Sequence, residues 1–125
     1  MTLYHFCSDK HVKKILRQGL TIGFLTEPTP QGFIIHKGWI WLTTNLDPKN
    51  QSWATRNVVK YIRTAYRLKI DIPDSELDRM YDREKLTALY PSCDVLFDGW
   101  PGSENWRVFK GIIHKEWIVD YGRSI

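Results

Sequence analysis

The amino-acid sequence predicts an α+β domain with a few short helices and a strand-rich second half. Three observations lead there. An early apolar strand runs into a capped helix that stops at a glycine. A second stretch, Gly38 to Thr44, is dense in aromatic and branched side chains. A third, Tyr66 to Ile72, alternates apolar and charged residues, the mark of a strand with one buried face.

The elements follow in order. Leu3 to Cys7 reads as a short strand, and Ser8 caps the next helix through its side-chain oxygen. Val12, Ile15 and Leu16 share one helical face, which Leu20 continues after a turn. Lys13, Lys14 and Arg17 lie elsewhere or near the C-terminal end, where positive charge suits the helix dipole. Gly19 is placed as a left-handed stop. Thr21 to Gly38 reads as a loop, because Gly23, Pro28, Pro30, Gly32 and Gly38 punctuate it. Loops this long in so small a domain often carry function. The strand from Gly38 to Thr44 is broken by Asn45, Asp47, Pro48 and Asn50, and Val58, Val59 and Ile62 suggest a helix from Trp53 to Ala65. The alternating strand ends at Pro73. Ser75 is expected to cap a helix carrying Leu77, Met80, Tyr81 and Glu84, which Pro91 ends. Asp98 to Gly102 is a turn-rich loop, and Trp106 to Lys110 and Trp117 to Tyr121 are the closing strands.

At 125 residues the chain reads as one domain, 1–125, with 42% hydrophobic residues for one modest core. The 26% of charged residues is ordinary for a globular chain and argues against long disorder. No apolar run approaches the roughly 18 residues of a membrane span. Met1 to His5 lacks the basic and apolar regions of a secretion signal, so the expected compartment is the cytoplasm, with no membrane partner. Cys7 and Cys93 make no disulfide framework, and no Cys/His spacing suggests zinc, so no metal is expected. The formal charge of +4 permits a polyanionic partner without demanding one. Aromatic residues reach 14%, with six Trp, which serve either a small core or a flat ligand.

Five segments recur in a familiar order. They are Tyr4-His5-Phe6-Cys7-Ser8, the helix end Leu16-Arg17-Gln18-Gly19-Leu20, Trp39-Ile40-Trp41-Leu42-Thr43, Ser103 to Phe109, and Trp117-Ile118. In this order the chain resembles the ADP-ribosyltransferases of the diphtheria-toxin and poly(ADP-ribose) polymerase type, with their His-Tyr-Glu signature. The resemblance spans nearly the whole chain. It implies a split β-sandwich: two small packed sheets around an NAD cleft lined by His5, Trp41 and Glu104.

By this resemblance His5 contacts the adenosine-side ribose of NAD. Phe6 stands where the family usually has a glycine whose backbone holds the nicotinamide amide. Trp41 takes the place of the tyrosine that stacks on nicotinamide, and Trp stacks on a pyridinium ring at least as well. Thr43, two residues on, shares its strand face. Trp53 matches a second aromatic that closes the sandwich. Glu104 matches the catalytic glutamate, which binds the 2′-hydroxyl of the nicotinamide ribose and stabilises the oxocarbenium-like centre as the glycosidic bond breaks. Gly102 stands where arginine-modifying members carry a second acid, which argues against an arginine acceptor.

The implied activity is mono-ADP-ribosylation of a macromolecular acceptor, nucleic acid or protein, with NAD as co-substrate and nicotinamide released. Each residue also has a plainer reading: His5 as a hydrogen-bonded core histidine, Trp41 as core, Glu104 as a solvated turn residue. His11, His36 and His114 read as surface or loop residues. Arg56, Lys60 and Arg63 form a basic helical face, solvated or phosphate-binding. Two other functions fit the residues. One is an RNA 2′-phosphotransferase of the same architecture, which relies on arginines and a histidine instead of a glutamate. The other is a non-catalytic nucleic-acid-binding module or degenerate transferase, which binds by stacking and phosphate contacts.

Overall fold

The computed structural model describes residues 1–46 and 65–123. Most of the expected helix from Trp53 to Ala65, with Trp53 itself and the basic set Arg56, Lys60 and Arg63, lies outside the described residues. Among the described residues, eight strands and two α-helices run in the order β1 (Thr2–Cys7), α1 (Asp9–Gln18), β2 (Phe24–Thr29), β3 (Gly32–Lys37), β4 (Trp39–Thr43), β5 (Tyr66–Asp71), β6 (Met80–Tyr81), α2 (Arg83–Leu89), β7 (Trp106–Lys110) and β8 (Ile118–Arg123). The domain is mixed α+β, mostly antiparallel sheet with few short helices. Among the described residues no helix is long and apolar enough to cross a membrane.

Six strands form one sheet in the order β6-β7-β4-β1-β5-β8, while β2 and β3 form a separate ribbon. The register divides the sheet in two. β1 pairs with β5 along its full length, Thr2 against Asp71 through Cys7 against Tyr66. β4 pairs with β7 along its full length, Trp39 against Lys110 through Thr43 against Trp106. Between β1 and β4 the described pairing is Tyr4 against Thr43. Two three-stranded halves are thus joined at the middle of β1 and part beyond it.

One core spans both halves. Leu3, Leu68 and Ile70 from one side meet Ile40, Leu42 and Phe109 from the other, with Val12 of α1 packed beneath. A second core covers the opposite face of β4 and β7, where Trp39 and Val108 meet Leu25, Leu86, Cys93 and Phe97. Residues alternate across a strand, so β4 sends Ile40 and Leu42 to the first core and Trp39 and Trp41 to the second. Both faces are covered, which is why Trp39 to Leu42 reads as an unbroken apolar run.

The structure corrects four local expectations. Thr21 to Gly38 is mostly a hairpin, with Thr29 paired to Gly32 at its tip. Its apolar residues Phe33, Ile34 and Ile35 are exposed, so no buried alternation marked the strand. Ser8 occupies the N-cap of α1 in extended geometry, but its hydroxyl makes no cap; Oγ lies 2.8 Å from His11 Nδ1. Ser75 starts no α-helix. It lies within a short 3-10 helix, Asp74–Arg79, and α2 is capped by Asp82, which accepts from the Lys85 N–H at 2.8 Å. Between them Met80 and Tyr81 pair with Phe109 and Val108, so sheet formation overrides the helical spacing of the side chains. Trp117 belongs to a 3-10 turn, and β8 begins at Ile118.

Candidate functional site

Beyond Tyr4 and Thr43, β1 and β4 diverge, and the gap opens into a cleft of about 880 Å³. Its walls are β1 from Tyr4 to Cys7, one face of α1, Phe24 and Thr26 of β2, Trp41 to Thr43 of β4, and the aromatic pair Trp100 and Trp106. The volume lies within the range of about 300–1,000 Å³ common for small-molecule sites.

His5 sits on one lip. Its Nδ1 lies 3.0 Å from the Trp41 carbonyl on the other lip. A carbonyl only accepts, so Nδ1–H is the donor, and the neutral ring presents Nε2 as an acceptor. Burial pulls the imidazole pKa below its ordinary 6.5, partly offset by the Trp41 carbonyl. His5 is therefore neutral at pH 7. It is both the tie across the gap and a fixed hydrogen-bonding group on the cleft wall.

Trp41 is half-buried. Its ring lies 5.7 Å from Phe97 and 6.1 Å, edge-on, from Trp106. Trp100 extends the set, 6.3 Å from Trp106. These separations are those of interacting aromatic pairs and hold the rings in place. The Trp106 indole N–H is buried without a hydrogen-bond partner. Such a donor costs about 1–3 kcal/mol unless something accepts from it.

Thr43 is buried, and its Oγ1 accepts from the Asn45 N–H at 3.1 Å, which leaves the hydroxyl hydrogen to donate. Phe6 is buried beside His5. Cys7 also lines the cleft, but burial pushes its thiol up to about 11, so it stays protonated and unreactive at neutral pH.

Of the residues named from the sequence, His5, Phe6, Trp41 and Thr43 meet in this one cleft. Trp53 lies outside the described residues. Glu104 is exposed and is not on the cleft wall; it sits in the 3-10 turn Ser103–Asn105 that leads into Trp106. Among the described residues no Asp or Glu lines the cleft. Nor does any group of three or more His, Cys, Asp or Glu converge there in a way that could hold a metal.

Sequence reading missed Ser8, His11 and Lys14 on the wall, and the hairpin's Phe24 and Thr26. The signal for the first group was present: positions 8, 11, 14, 15 and 18 fall on one side of a helix. The hairpin residues gave no such signal, because tertiary docking brings them in. Neither a family model, nor a curated protein sequence, nor a solved structure matches this chain.

Proposed function

We propose that this domain is an NAD-dependent mono-ADP-ribosyltransferase with a split β-sandwich, acting on a macromolecular acceptor and releasing nicotinamide. The observation that carries the reading is the parting of β1 and β4, with His5 on one lip and Trp41 on the other. A flat pyridinium ring stacks on Trp41. The neutral His5 ring accepts from a ribose hydroxyl through Nε2. Nicotinamide leaves as a neutral group, so the site needs no strong general acid. It needs negative charge near the oxocarbenium-like centre, and Glu104, two residues before the cleft-lining Trp106, is the carboxylate assigned to that role by the resemblance.

The first test is a titration with NAD, followed by Trp fluorescence, on the wild type and His5→Ala. Saturable quenching that His5→Ala removes supports the cleft; no binding at millimolar NAD overturns the reading. For the chemistry, Glu104→Gln is expected to leave NAD affinity largely intact and to cut nicotinamide release by a factor on the order of 100. Full activity in that variant removes Glu104 from the mechanism. One observation favours a second reading, a domain of this fold that binds without cleaving NAD: no described carboxylate lines the cleft. Wild-type protein that binds NAD and releases no nicotinamide with any acceptor selects it.

A further inference from the structure

We infer that the cleft and the adjoining face of α1 bind a single strand of nucleic acid, with a base on Trp100 and the phosphodiester backbone along Lys10, Lys14 and Arg17. That this strand is also the ADP-ribose acceptor rests on the proposed transferase activity; the binding does not.

The charge pattern comes first. Lys14 lines the cleft. Lys10 lies four residues before it and Arg17 three after, so the three share one helical face, spanning about 10 Å along the axis. All three are exposed. Asp9 is the one acid on α1, and no described carboxylate forms an ion pair with Lys14 or Arg17. The cleft wall adds no described carboxylate either. Lys10 and Arg17 stand outside the cleft, so the cationic row continues past its wall. Its match is a longer polyanion.

The aromatic pattern specifies which polyanion. Trp41 alone suffices to stack one nicotinamide. Trp106 and the half-exposed Trp100 enlarge the aromatic surface beyond that need. Base-stacking rings beside a positive track are the recognition elements for single-stranded nucleic acid. A duplex fits poorly, because a base must leave its stack to lie on a ring inside a cleft. An acidic polypeptide satisfies the lysines but offers no flat ring to the indoles.

The test is fluorescence anisotropy of labelled 12-mers of DNA and RNA, single-stranded and duplex, without NAD, at two salt concentrations. The wild type is expected to bind a single strand more tightly than its duplex, and to weaken as salt rises. Trp100→Ala should weaken binding about tenfold, and Trp100→Phe should restore most of it. The triple variant Lys10→Gln, Lys14→Gln, Arg17→Gln should lower the salt slope by about two. The DNA and RNA arms show which strand is preferred. No saturable single-strand binding at low salt overturns the proposal. So does equal binding of duplex, or competition by polyglutamate as effective as by unlabelled strand, since each leaves charge as the sole determinant. Binding of strand without binding of NAD keeps this proposal and removes the transferase; binding of NAD without strand does the reverse.

Discussion

His5 ties the two sheet halves across their gap, and its charge state is set by where it sits. Its pKa is lowered from 6.5 by burial, so between the folded and unfolded values the unfolded chain binds more protons. The stability it contributes is therefore complete above pH 6.5 and declines as pH falls through the folded value. Urea midpoints measured downward from pH 7 should fall, and His5→Gln should flatten that limb; an unchanged pH dependence places the acid sensitivity elsewhere. Trp41 supplies the other end of the same tie through its backbone carbonyl. Trp41→Ala is expected to weaken NAD binding by roughly 1–2 kcal/mol through lost stacking. Unchanged affinity in a folded variant returns Trp41 to a packing role beside Phe97 and Trp106.

Elements reach the site by different routes. α1 is positioned at both ends. Ser8 meets His11 at its start, and Gly19 ends it with φ +80, where a Cβ would also collide with the Ile113 carbonyl. Leu20 then bonds Ile113 in both directions, at 2.9 and 3.0 Å. The hairpin is held by a single fully buried side chain of its own, Leu25, among Trp39, Leu86 and Phe97. Leu25→Ala should cost about 2–5 kcal/mol in chemical denaturation, the range for a buried leucine that leaves a cavity. It should also loosen the cleft wall that Phe24 and Thr26 form, seen as weaker NAD binding at temperatures where the variant is folded. A cost under 1 kcal/mol means that the hairpin does not depend on that contact.

At the scale of the molecule, a sheet joined so narrowly between β1 and β4 invites separate unfolding of its halves. The shared core argues against it: Leu3, Leu68 and Ile70 cannot be exposed without also uncovering Ile40, Leu42 and Phe109. Unfolding in urea should therefore be one transition, with Trp fluorescence and far-ultraviolet circular dichroism coinciding. Fluorescence that changes first would show the Trp-rich half opening by itself.

The sequence by itself determined the elements whose side-chain pattern is local. β1, the α1 face with its glycine stop, β5 and β7 are legible because alternation, helical spacing and turn residues act within a few positions of one another. It also placed His5 and Phe6 on one strand and Trp41 and Thr43 on another; that the two strands meet at one cleft is a matter of tertiary pairing. Tertiary structure decided the rest. Whether Phe33, Ile34 and Ile35 form loop or strand depended on Leu25 docking the hairpin against α2 and Phe97. Whether Met80 and Tyr81 continued a helix depended on β7 offering an edge to pair with. His11 and Lys14 became part of the cleft because β1 and β4 part where α1 begins, and Glu104 stayed exposed off its wall. Local spacing encodes which face a side chain takes; only the packing of distant segments decides what that face meets.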